Sequence, residues 1–250
     1  ALDDEGHAEA VVAFYDGEAK LAACHYYATH PMSYYGDGRV CSDFVGLARK
    51  RRQAEEPNCA HLYFTGCSGN VAAGKYNNGT PEARVQLTER IYAGIVGSEQ
   101  QLTRQTIDSV AWQTENVLFT PRASFHETTL MEQVLNKDAA LANRIRPAMM
   151  LGWLHRCERK EPIVLSALHI NSTTLLHLPA ESFVEYQLRA QAAAPHRFVA
   201  TAAYGDGGPW YIPTAEAYPQ GGYEVSVAFS EPTTDATMTG GLTKLAAAKG

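Results

Sequence analysis

The sequence has no C-x-x-C pair, no H-E-x-x-H or H-x-x-x-H spacing, and no apolar run approaching a membrane span of roughly 18 residues. The missing spacings exclude a zinc ribbon, a thioredoxin-type redox motif and a helix-borne zincin site. The missing apolar run leaves nothing that reads as a transmembrane helix. Basic charge is scarce as well. The 21 Lys+Arg stand against 27 Asp+Glu, a formal net charge of −6, so the basic field of a general nucleic-acid or anionic-membrane binder is lacking. Internal repeats and coiled-coil heptads are also absent. What is present is globular material: 250 residues, 45% hydrophobic and 19% charged. That balance excludes wholesale disorder and suffices for a core without disulfide or metal staples, in one large domain or two small ones.

Five cysteines, Cys24, Cys41, Cys59, Cys67 and Cys157, read as small, mostly buried apolar residues. The alternative is one or two disulfides in an exported protein, with a pairing the sequence does not give. The chain starts Ala1-Leu2-Asp3-Asp4-Glu5, with neither Met nor a basic, apolar signal segment. The expectation is a processed, trimmed or fragmentary chain.

Residues 8–14 and 20–28 read as two strands around Asp16-Gly17, a hairpin signal. The second runs into Thr29-His30-Pro31, where proline stops the ladder. Ser42-Asp43 opens a helix to about Glu55. Residues 59–65 form a buried strand that exits into Gly66-Cys67-Ser68-Gly69-Asn70. Thr80-Pro81-Glu82 opens a second helix, with Val85, Leu87, Ile91 and Ile95 on its apolar face. Residues 105–121 read as extended. Helix formers over 127–137 and 139–160, kinked at Pro147, suggest a helical insertion over 104–160.

Strands return at 163–170 and 173–179 across an Asn171-Ser172 turn. A helix is expected over 180–193, beginning on Glu181, then strands at 196–204 and 223–229. The expected organisation is one domain over 1–232 and a tail over 233–250 with a weak helix near its end. The fold class is α/β or α+β, a mixed sheet with flanking helices.

Four segments could carry chemistry. His30 at a strand end is placed as a ligand or base, or as a satisfied structural histidine. The small residues of F-T-G-C-S-G-N let the backbone approach a ligand closely, or form a plain turn. Asn70 stands where a G-x-S-x-G elbow would need glycine. Glu181 either complements a helix dipole or faces a cleft. The loop 205–224, rich in glycine and aromatics, reads as a binding loop or as ordered surface packing. His25, His61, His126, His155, His169, His177 and His196 read as structural or surface residues.

Taken in order, CHYYATHP, CSDFVGLAR, LYFTGCSGNV, LLHLPAESFVEYQLR and WYIPTAEAYPQGGYE resemble motifs of the catalytic domain of the neutral/alkaline (non-lysosomal) ceramidase family, over roughly residues 9–228. The resemblance implies one catalytic Zn2+, with His30, Glu181 and Tyr223 similar to three of its protein ligands. It also implies a small-molecule or lipid-like substrate, a cleft shaped by Asp43, Asn70 and Tyr211, and, by analogy, export. Two departures bear on activity. The family's first histidine ligand lies in a T-H-T-H-S-G-P-like motif upstream, with no counterpart here, so the N-terminal part of the domain is expected to be missing. Ala72 stands at the position of the family's serine. The sequence therefore leaves three readings open: a zinc-dependent amide or ester hydrolase, an inactive binding module of the same fold, and a Ser or Cys hydrolase built on Ser68 or Cys67.

Overall fold

The structure, a computed structural model, describes residues 10–248. Residues 8 and 9 of the first expected strand, and the start Ala1–Glu5, lie outside the described residues. Strands β1 (Ala10–Asp16) and β2 (Ala19–Tyr27) form an antiparallel hairpin, with Gly17 supplying the positive φ of 53° at its turn. β2 pairs in parallel with β3 (Ala60–Thr65). Helix α1 (Asp43–Glu55) makes the crossover that parallel pairing requires. Helix α2 (Pro81–Glu99) lies against α1, with proline in its first turn and Thr80 capping Ala83 N–H.

Alternation along β2 and β3 sorts their side chains to two faces. Tyr27 and Tyr63 pack against Phe44, Val45, Leu87, Ile91 and Ile95 of the two helices. Val85, placed on that apolar face by the sequence pattern, is exposed instead. Cys24, Tyr26 and Phe64 point the other way, onto Leu168, Leu175, Ala200 and Ala202 of a second sheet.

That second sheet runs β4 (Val110–Val117), β5 (Ile163–Ile170), β6 (Thr173–His177), β8 (Phe198–Ala202). β4, β5 and β6 are antiparallel neighbours, and β6 pairs in parallel with β8. The β5–β6 turn rests on Asn171 at φ 50°, whose side chain also accepts from Asp108 and Ser109 N–H. The outer face of this sheet carries Leu165, Leu176 and Val199. It packs under α5 (Val184–Ala193) and α7 (Thr234–Ala247), in a core that includes Tyr186, Met238, Leu242 and Leu245. The layers are therefore helices, sheet, sheet, helices. The fold is mixed α/β with flanking helices, as the sequence pattern indicates.

Four segments differ from the sequence expectation. Region 104–160 is helical only in the pair α3 (Glu127–Leu135) and α4 (Leu141–Glu158); β4 is an integral edge of the sheet. The helix expected from Glu181 starts at Val184. Glu181–Ser182 is a short strand, β7, paired in parallel with β9 (Tyr211–Ile212), because its peptide groups find partners across the chain. The strand expected over 223–229 is a short helix, α6 (Tyr223–Val227). Its Val225/Val227 alternation mimics a strand, but Ser226 N–H donates back to the Gly222 carbonyl.

The tail expected to hold only a weak helix forms the 14-residue α7. Its stripe Met238, Leu242, Leu245 has helical spacing. Gly240-Gly241 masks that stripe in the sequence, since glycine costs a helix about 1 kcal/mol. Here it permits close approach: a Cβ on Gly241 would lie 2.7 Å from Leu165 Cδ1 and 3.0 Å from Val117 Cγ1. Replacing fully buried Leu242 by alanine is expected to cost about 2–5 kcal/mol in urea unfolding. A loss below about 1 kcal/mol would show that α7 is not part of the core.

Asp235, in the first turn of α7, accepts from Ala215 N–H and from Arg189 of α5. Burial pushes its carboxyl up, but these bonds win and hold its pKa below the usual carboxylate range. A depressed folded pKa means the stabilisation is complete above the unfolded pKa of about 3.9 and fades as pH falls through the folded value. Asp235→Asn is expected to be less stable than wild type at pH 7, with the gap narrowing on acidification. A gap equally wide at both ends of a urea-unfolding pH series would contradict this.

Candidate functional site

The parallel strands of both sheets deliver their carboxyl ends to one place, where α/β folds commonly bind ligands. β2 ends in Ala28-Thr29-His30, β3 in Gly66–Asn70, β6 in Leu178–Glu181 and β8 in Ala203-Tyr204. Main-chain bonds stitch these ends together. Gly66 N–H donates to Tyr27, Ala203 to Thr65, Leu178 to Ala202, Tyr204 to Ala180 and Gly69 to Ser182, all within 2.8–3.1 Å.

His30 and Glu181, 151 residues apart in sequence, meet here: His30 Nε2 lies 2.8 Å from Glu181 Oε2. Both side chains are about one-fifth exposed, so the pair is open to solvent from one side. His30 Nδ1 lies 3.2 Å from the Val71 carbonyl, which can only accept, so Nδ1 carries a hydrogen and Nε2 faces the carboxylate. The Glu181 hydrogen bond, foremost, raises the His30 pKa above its ordinary value against burial. Burial pushes Glu181 up, but bonds from His30 and Tyr211 outweigh it and hold its pKa below the usual range. The Tyr211 hydroxyl also approaches His30 Nε2, at 3.3 Å, with the two rings near parallel. Burial and the adjacent carboxylate raise the Tyr211 pKa, so this hydroxyl keeps its proton and donates.

Tyr223 opens α6 behind Gly221 and Gly222, which take positive φ of 75° and 100°. Its ring meets the edge of Tyr211 at 5.9 Å, and it is 62% exposed. Among the described residues its hydroxyl bonds neither His30 nor Glu181, so Tyr211 stands between it and the pair.

Asp43 and Asn70 are engaged by the scaffold. The Asp43 carboxylate, on a residue at φ 50°, accepts from Ser33 N–H, Ser33 Oγ and Phe44 N–H. Asn70 Oδ1 accepts from Val184 N–H at the start of α5, and its Nδ2 donates to Glu185. The small residues of Gly66–Gly69 serve approach to the chain itself. A Cβ on Gly69 would fall 2.3 Å from the Glu181 carbonyl oxygen and 3.0 Å from Phe183.

Ser68 Oγ bonds the Tyr204 hydroxyl at 3.0 Å, and among the described residues no imidazole reaches it. Burial raises the pKa of that phenol to about 12. It also pushes the Cys67 thiol well up, leaving an unreactive thiol rather than an activated nucleophile. Ala72 forms a parallel bridge with His30, so its backbone lies alongside that of His30. Tyr204, at φ 66°, was missed in the sequence; its place just before the aromatic loop was the only signal. The sequence reading also did not pair His25 with His61. Parallel register sets His61 opposite Ala23, which puts it on the face that carries His25.

No protein-family model matches the chain, and no curated protein matches it. Solved structures of ceramidases do share its fold. Neutral ceramidase from Pseudomonas aeruginosa superposes on 95% of this chain with a TM-score of 0.69 at 16% identity. A ceramidase complexed with C2 superposes on 95% with a TM-score of 0.70 at 15% identity. The chain covers 45% and 47% of those two chains, a little under half their length. At these identities the likeness is one of fold.

Gly69→Ala is expected to lower unfolding stability by about 1–3 kcal/mol, because the new methyl meets backbone that cannot step aside. It should also shift the His30 ring resonances. Wild-type stability with an unmoved His30 would show that the 66–70 loop does not hold the pair.

Proposed function

We propose that the chain is part of a zinc-dependent hydrolase resembling neutral ceramidase, which cleaves an amide or ester bond in a small-molecule or lipid-like substrate. His30, Glu181 and Tyr223 are its zinc donors, and Tyr211 contacts the donors and the substrate. The observation that carries this reading is the 2.8 Å approach of His30 Nε2 to Glu181 Oε2 at the junction of two sheets.

His30 and Glu181 fit the metal, since imidazole nitrogen and carboxylate oxygen are zinc ligands. Tyr223, held ring to ring with Tyr211 and 62% exposed, would have to turn its hydroxyl toward them to serve as the third donor. The His30 ring is already oriented by its Nδ1–H bond to Val71, the outer-shell arrangement metal-bound histidines favour. Nε2 and the carboxylate oxygen lie 2.8 Å apart, so the two donor atoms face one point. When bound, zinc would lower the pKa of a water towards about 7 and polarise an acyl carbonyl.

The chain's own residues do the positioning. Val71 fixes the His30 tautomer, and Tyr211 donates to Glu181 and keeps that carboxylate ionised. Asn70 holds the start of α5 against the loop, and Asp43 holds the 33–43 segment beneath the cleft. Ala72 offers no hydroxyl beside His30, so attack falls to water rather than to a side chain. The same alanine favours a second reading, a binding module of this fold without turnover.

The test measures zinc content by elemental analysis, and turnover of an N-acyl amide and a nitrophenyl ester. Loss of an outer-shell partner alone costs about 10–100-fold in metal affinity or activity. His30→Ala and Glu181→Gln are expected to lose at least that much turnover and at least that much zinc affinity at this centre, whatever zinc is held elsewhere in the chain. Ser68→Ala and Cys67→Ala should retain activity. Zinc bound without turnover would favour the binding module, and turnover indifferent to His30→Ala would refute the assignment.

A further inference from the structure

A second group of donors lies on the helix-facing side of the first sheet, away from the strand ends. His25 of β2 and His61 of β3 are both fully buried, with rings 5.5 Å apart and nearly parallel. Glu99, the last residue of α2, points its Oε1 at both. The three atoms form a near-equilateral triangle. His25 Nε2 to His61 Nδ1 is 3.2 Å, and each lies 3.5 Å from Glu99 Oε1. Bonds of about 2.0–2.2 Å at tetrahedral angles set donor separations of about 3.3–3.5 Å, so the triangle has the size of one face of a zinc tetrahedron.

The surroundings orient these donors outward from their own partners. His61 Nε2 lies 3.1 Å from Glu56 Oε2. A carboxylate accepts, so Nε2 carries the hydrogen and Nδ1 presents its lone pair to the triangle. This carboxylate–histidine relay is the usual outer shell of a metal-bound imidazole. Glu99 is held in the same manner: Arg52 and Lys20 each reach its other oxygen, Oε2, at 2.7 Å, and Arg52 Nε also donates to Oε1 at 3.2 Å, so Oε1 is shared between that guanidinium and the triangle. Lys20 and Arg52 also pair with Glu56, so two cations and two carboxylates balance around two imidazoles. The two cations hold both carboxylates in place.

We propose that His25 Nε2, His61 Nδ1 and Glu99 Oε1 bind a divalent d-block cation of the zinc type, a structural site that clamps β2, β3 and the end of α2. The two-histidine, one-carboxylate set selects zinc or a similar first-row ion over calcium or magnesium, which prefer oxygen cages. Burial behind α1 and α2 assigns it a structural rather than a catalytic role. The proposal does not depend on the His30–Glu181 centre, and its test removes that centre.

The probe is zinc chloride alone, added to the His30→Ala chain. One equivalent is expected to bind, with the 15N resonances of His25 Nε2 and His61 Nδ1 shifting together on saturation. Glu56→Gln, added to that variant, acts on the positioning residue and should weaken binding by about 10–100-fold while leaving the stoichiometry at one. Absence of stoichiometric zinc in His30→Ala would overturn the proposal. So would bound zinc with both resonances unmoved. In either case the cluster is a hydrogen-bonded ion network only.

Discussion

The candidate site exists because two sheets are sewn together at the carboxyl ends of their parallel strands. Ala203 N–H bonds to Thr65, and Gly69 N–H to Ser182. These are backbone bonds in a packed region, where an unpaired peptide group would itself cost free energy. They fix the approach of the 66–70 loop to residues 180–183 to within a hydrogen bond. That approach leaves no room for a side chain at Gly69. It also brings a histidine from the first sheet to a carboxylate beyond the end of the second. The chemistry is thus a by-product of how the sheets join, and a loosened junction removes the pair before either residue is touched.

Two histidine–carboxylate groups result, and their surroundings differ in a telling way. His30 and Glu181 are partly exposed and have one tyrosine hydroxyl between them and the outer aromatic ring of Tyr223. His25, His61 and Glu99 are shut behind two helices and ringed by Lys20, Arg52 and Glu56. Burial pushes the Glu99 carboxyl up, yet the bonds from Arg52 and Lys20 prevail and hold its pKa at about 2. A charge that deep is tolerated only when its hydrogen-bonding capacity is met. One group therefore meets solvent from one side, while the other lies where β2, β3 and α2 come together.

Much of the architecture was legible in the sequence because its signals are local. Asp16-Gly17 marks a hairpin and Thr80-Pro81-Glu82 a helix start, and both are found where that chemistry puts them. Strand-forming runs on either side of the Asn171-Ser172 turn marked β5 and β6. Signals that depend on distant partners were misread. Glu181 precedes good helix formers, yet its peptide bonds to Trp210, 29 residues on. Tyr223–Phe229 alternates like a strand, but its first five residues wind into a helix behind two glycines. α7 was hidden by glycines whose value is the close approach they allow to Leu165 and Val117. In each case a tertiary contact overrode a local preference.

The site residues divide along the same line. His30 was legible because Pro31 ends a strand, and a strand end in a parallel sheet faces a cleft. Asp43 and Asn70 are joined to the scaffold as well. Both hold backbone, Asp43 at a positive φ and Asn70 at a helix start, so a motif position can reflect the shape of a loop as readily as contact with substrate. Ala72 is the sharper case. Its backbone bridges to His30, while its side chain carries no oxygen. Main-chain geometry and side-chain chemistry are separable at that residue. The fold therefore sets where a reacting group would lie, and only the side chain determines whether one is there.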